Sequence, residues 1–138
     1  MIHEGICTYE VAKLANEKGF PQWFNYTRFK FKWDYYNHKG EFNGDVGDIL
    51  KLRIKHKPVP EDMKPIAAPT QSLLQRWLRE EKFIDIAIYP IFINGVRTYT
   101  CYVYAPNLNK PKKLKYFDTY ELTIEDALKY VLKKIDLI

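Results

Sequence analysis

Cations alternate with apolar residues in two stretches of this chain: Arg28, Lys30 and Lys32 in one, Lys51, Arg53 and Lys55 in the other. If both stretches are strands of one hairpin with the apolar parity inward, all six share the outer face, where like charges set opposite each other destabilise the sheet. An anion laid on that face relieves the repulsion. Arg28, Lys30, Lys51 and Arg53 are therefore candidate ligand-binding residues for phosphate groups. The competing reading is a solvated face whose charges repel only weakly through water.

A second candidate lies at Ala67-Ala-Pro-Thr-Gln-Ser72, where a proline-rich connection ends and a helix begins. The first turn of a helix carries unpaired N–H donors, so these, with the Thr70 and Ser72 hydroxyls, suit a phosphate, and Arg76 one turn on adds charge. An ordinary N-cap needs the same residues. Trp23, Tyr26, Trp33, Tyr102 and Tyr104 beside basic groups suggest base stacking as in single-strand binders. By parity Trp33 belongs with Phe29 and Phe31 in the core, whereas Trp23, at the strand's edge, is a candidate stacking residue.

Signatures of catalysis are missing from the sequence. His3, His38 and His56 have no partner at ligand spacing, Asn43-Gly-Asp-Val-Gly-Asp48 lacks the acids of a calcium loop, and no nucleophile-elbow or phosphate-loop glycine pattern occurs. Asp45 and Asp48 read as turn residues. No catalytic residue, metal or cofactor is expected. Cys7 and Cys101 form no CxxC pair, and with no signal peptide ahead of them they point to a reduced cytoplasm.

These groups must be carried by 138 residues, the size of one compact domain over 1–138. A hydrophobic fraction of 46% and a charged fraction of 28% exclude a dominantly disordered chain. The longest apolar run, around Ile84 to Ile93, is broken by Asp85 and Pro90 and is too short to span a membrane. A net charge of +5 favours an anionic partner.

The expected fold class is α+β: an antiparallel sheet of about four or five strands, two hairpins plus one strand, packed by about three helices. Thr8 caps a first helix that ends at Gly19, with Val11, Leu14 and Ala15 inward. Period-two alternation predicts strands over Trp23 to Tyr36 and Leu50 to Lys55. Four prolines between Lys57 and Pro69 exclude a helix or interior strand there. Thr70 caps a helix through Glu81 whose Leu73, Leu74, Trp77 and Leu78 face the core, Trp77 fully buried. Asn94-Gly95 marks a tight hairpin between Phe83 to Ile93 and Val96 to Ala105. After a Lys110 to Lys115 loop come a strand, Leu114 to Tyr120, and a last helix starting at Thr123.

Ala68-Pro-Thr-Gln-Ser-Leu-Leu-Gln-Arg-Trp-Leu-Arg-Glu-Glu81, with Thr8-Tyr-Glu-Val-Ala-Lys before it and Thr123-Ile-Glu-Asp-Ala-Leu after it, resembles small accessory proteins of tailed phages and prophages of gut Bacteroidetes. The resemblance implies origin rather than activity, and no site residues come with it. By genetic context it implies an anti-defence role in the host cytoplasm, in which a compact, oligomeric protein sequesters a nucleotide immune signal. The expected function is thus non-enzymatic binding of a phosphate-bearing small molecule. The alternatives are a nucleic-acid binder using the basic hairpin and the Lys110 to Lys115 loop, and a module that inhibits a host enzyme through an exposed sheet edge or aromatic patch.

Overall fold

A computed structural model of the chain describes residues 5–22 and 34–138. Trp23, Arg28 and Lys30, and the strand expected over Trp23 to Tyr36 except its last three residues, lie outside the described residues. The architecture is α+β, with two antiparallel sheets and four α-helices among the described residues. Contacts group these residues into two units, one within Thr8–Pro69 and one comprising residues 5–7 and Thr70–Ile138.

In the first unit, α1 (Tyr9–Glu17) starts where the Thr8 hydroxyl accepts the Val11 N–H at 3.3 Å. It buries Val11, Ala12 and Ala15, while Leu14, expected in that stripe, is half-buried. Gly19, at φ 95°, ends the helix in the conformation that glycine adopts without strain. β1 (Tyr35–Tyr36) pairs antiparallel with β2 (Ile66–Ala67), against which α1 packs. The loop after β1 is organised by Asn37, which is buried. Its Nδ2 donates to Glu41 Oε1 and to the Asp45 carbonyl, each at 2.9 Å, and its Oδ1 accepts the N–H groups of Lys39 and Glu41.

The second strand of the expected first hairpin is instead a helix, α2 (Gly47–Ile54). Leu50, Leu52 and Ile54 alternate, but Val46, Ile49 and Leu50 are also spaced three and four apart, and Ile49 is the residue this helix buries. Asp45 Oδ1 accepts the Gly47 N–H at 2.8 Å, which turns the chain into the helix. Asp48 in the first turn and Lys51 and Arg53 in the last match the helix dipole. Lys51 and Arg53 are therefore not opposed to another strand, and the repulsion argued from a shared sheet face does not arise for them. Beyond α2 the proline-rich connection contains one 3-10 turn, Glu61–Met63.

The second unit holds α3 (Gln71–Lys82), a hairpin of β3 (Asp85–Ile93) and β4 (Val96–Tyr104), β5 (Lys112–Lys113) and α4 (Tyr120–Lys134). The strand order is β3-β4-β5, all antiparallel. Asn94 and Gly95, both at positive φ (51° and 78°), make the expected hairpin turn, with Ile93 opposite Val96. α4 packs on β3 and β4, and α3 packs on β3 and α4. Leu74, Leu78, Cys101, Val103, Leu128 and Leu132 are fully buried in this unit.

Three expectations change here. Trp77 is half-buried rather than buried, and the Lys82 ammonium lies 5.6 Å from its ring centroid. The expected strand Leu114 to Tyr120 reduces to the Tyr99–Phe117 bridge, and the paired residues are Lys112 and Lys113. The last helix begins a turn early because Thr119, not Thr123, caps it, accepting the Leu122 N–H at 3.1 Å. Thr123 is buried inside the helix and its hydroxyl donates back to the Thr119 carbonyl at 2.8 Å.

Candidate functional site

The strongest concentration of chemistry lies where β5 meets α4. A groove of about 430 Å³ is lined by Lys112, Lys113, Leu114, Lys115, Asp126, Lys129, Tyr130 and Lys133. Its two walls follow from local structure. On α4, Asp126, Lys129, Tyr130 and Lys133 recur at three- and four-residue spacing, so they share one flank of the helix. That flank runs beside the buried stripe of Ile124, Ala127, Leu128 and Val131. The other wall is fixed by pairing: Lys112 stands opposite Val103 and Lys113 opposite Tyr102, and the Leu114 N–H donates to the Cys101 carbonyl at 2.9 Å.

Five lysines thus line the groove with one carboxylate, that of Asp126. Lys112, Lys113, Lys115 and Lys133 form no ion pair with another described residue. Their field is largely uncompensated, and a concave surface lined by one sign of charge raises the local concentration of counter-ions. Beneath the groove the Cys101 thiol is fully buried and is pushed up to about 12, first by burial and then by the charge of Asp126. Burial thus holds it in the neutral thiol form, the less reactive one, at ordinary pH.

Register also sorts the sheet's two faces. Tyr99, Cys101 and Val103 face α4, as the Tyr99–Tyr120 ring contact at 6.0 Å shows. Tyr89, Thr98, Thr100, Tyr102 and Tyr104 lie on the opposite face, and Lys113, paired with Tyr102, lies there with them. Tyr89 and Tyr102 meet edge to face at 6.1 Å. The Tyr104 phenol is raised above its ordinary range by desolvation first and then by the neighbouring Tyr89 and Tyr102.

No protein-family model matches this chain, and no curated protein and no solved structure matches it.

Those residues expected from sequence to bind a ligand that fall within the described residues, Lys51, Arg53, Thr70, Ser72 and Arg76, lie outside this groove. Thr70 caps α3, its hydroxyl accepting the Leu73 N–H at 3.1 Å, and the Gln71 N–H donates to the Gly5 carbonyl at 2.7 Å. Two donors of that helix start are therefore engaged within the protein. Ser72 is exposed on the same turn, and Arg76 Nε pairs with Glu80 at 3.0 Å on the exposed side of α3. Arg53, with Lys57, Pro58, Val59 and Lys64, lines a second groove of about 440 Å³, whereas Lys51 is exposed outside it. Lys64 in that groove is paired with Glu61 at 2.7 Å, so its charge is partly compensated.

Of the expected features within the described residues, only the Lys110 to Lys115 loop contributes to the lysine groove. Lys129, Tyr130 and Lys133 carry no distinguishing mark in the sequence, because on a helix their spacing looks like any solvated flank. The signal available was the lysine pair four residues apart facing a lysine-rich loop. Among the described residues no group of three or more His, Cys, Asp or Glu side chains could hold a metal, and no helix is long and apolar enough to cross a membrane.

Proposed function

We propose that this protein is a non-enzymatic binder of phosphate-bearing ligands and that the groove between β5 and α4 is its site. The carrying observation is the convergence of five lysines on one concave surface with a single carboxylate. Lysine ammoniums are compact, mobile point charges, suited to phosphate oxygens presented at varying angles rather than to one planar carboxylate. Tyr130 adds an aromatic wall. The volume, about 430 Å³, falls in the range of small-ligand sites, and the groove is open to solvent, so a chain of phosphates also fits.

A nucleotide immune signal sequestered in the host cytoplasm by a phage accessory protein is one ligand of this chemistry, and a nucleic-acid backbone is another. Both use the same cations. Titration calorimetry with inorganic tripolyphosphate tests the groove itself. Lys112→Glu with Lys133→Glu reverses two exposed charges without touching the core, and binding should weaken at least about tenfold and fall with added salt. Equal binding by the wild type and the double variant would place the site elsewhere. A nucleoside triphosphate incubated with excess protein, then released by heat denaturation, should be recovered intact; a cleaved product would overturn the non-enzymatic reading.

A further inference from the structure

The lysine groove does not end at the sheet edge. Lys113 lines it and, by its pairing with Tyr102, also belongs to the sheet face turned away from α4. On that face Tyr89 and Tyr104 are 47% and 42% exposed, so with Tyr102 they present a run of aromatic surface to solvent. Tyr102 stands between them in the strand pattern, half-buried and in edge contact with Tyr89. Thr100, in register with Tyr89, is buried with its hydroxyl unpartnered.

We infer that the phosphate-bearing ligand is a single-stranded nucleic acid, whose bases stack on Tyr89, Tyr102 and Tyr104 while its phosphates pass Lys113 into the lysine groove. This rests on the groove being the phosphate site. Stacked aromatic rings beside a basic track are what a single strand requires, because every base offers a π-face and every linkage a charge. Neither half alone would specify that class: lysines alone accept any polyanion, and tyrosines alone any flat apolar group. Asp85, in register with Tyr104, puts a carboxylate at the β3 side of the face. That charge repels phosphates there and sets the polarity of the arrangement, bases toward β3 and backbone toward β5.

The test uses the full chain, a fluorescein-labelled twelve-nucleotide oligouridylate followed by anisotropy, and tripolyphosphate by calorimetry in parallel. Tyr89→Ala, Tyr102→Ala and Tyr104→Ala should each weaken oligonucleotide binding by about 5- to 150-fold, the range of base–aromatic stacking, and leave tripolyphosphate binding unchanged. Tyr102→Phe, which keeps the ring, should restore it. A duplex RNA of the same length should bind at least about tenfold more weakly, since paired bases cannot stack on the rings. As a check independent of variant folding, 4-thiouridine in the oligonucleotide should photocrosslink to the peptides carrying Tyr89, Tyr102 or Tyr104. Alanine variants that bind the oligonucleotide as the wild type does, or crosslinks confined to α4, would overturn the inference while tripolyphosphate binding kept the groove. A wild type that binds neither probe would overturn both.

Discussion

Raising the pH should destabilise this protein through its two cysteines. Cys7 and Cys101 are both 0% exposed, and each thiol is pushed from 9.0 up to about 12. Burial is the main cause in both, followed by the charge of Glu125 for Cys7 and of Asp126 for Cys101. The folded state holds the neutral thiols, whereas the unfolded chain releases their protons near pH 9.0. Their contribution is thus fully present below pH 9 and is lost as the pH climbs toward the folded value. Each thiol in that window removes up to about 1.4 kcal/mol per pH unit, so the pair costs about 3 kcal/mol between pH 9 and 10.5. That is a large part of the roughly 5–15 kcal/mol by which domains are stable. Urea unfolding at pH 8, 9 and 10.5, followed by circular dichroism, should show the wild type losing about 3 kcal/mol more than Cys7→Ala/Cys101→Ala over the upper interval. The phenols of Tyr35 and Tyr104, also raised, contribute alike to both proteins and cancel. Parallel losses in the two proteins would show that the thiols are hydrated, and the reasoning from burial would fail.

Asn37→Ala should cost about 2–4 kcal/mol, since it removes four hydrogen bonds and strands buried backbone groups of the loop. Faster amide exchange over 37–47 would register the loss. Thr100→Val, close in shape and lacking the unpartnered hydroxyl, should raise stability by up to about 1 kcal/mol, read as a higher Tm; a lower Tm would mean that the hydroxyl has a partner.

Legibility in the sequence followed how local the determining interactions are. Thr8, Thr70 and Asn94-Gly95 each specify their conformation through atoms within four residues, and each element they start or join lies where the pattern put it. Residues 47–54 failed because their apolar positions satisfy both periods. The decision fell to Ile49, which a helix buries and which the alternation from Leu50 onward leaves out. Thr119 and Thr123 illustrate the same limit at a boundary: both can cap, and only the bonds to Leu122 and from Thr123 back to Thr119 decide. Trp77 sits on the apolar spacing of α3, but spacing does not say how far a neighbouring element covers a ring.

The candidate site was least legible because no single segment contains it. Lys112 and Lys113 belong to a short strand whose place depends on pairing with Val103 and Tyr102, and Lys129 and Lys133 to a helix whose charged flank resembles any other. What gives these lysines meaning is the sheet. β5 is held against β4 by its ladder and by the Leu114 bond to Cys101, while α4 packs on the same strand, the Tyr120 ring meeting that of Tyr99 at 6.0 Å. Both lysine rows are thereby referenced to one strand, β4. A ligand bound between them needs no rearrangement of the fold to meet both, so less of its binding energy is spent on ordering the protein. The lysine ammoniums sit on flexible four-carbon stems, so charges carried by a paired backbone can still adjust to a ligand. That combination suits a backbone of repeating phosphates better than one molecule of fixed shape.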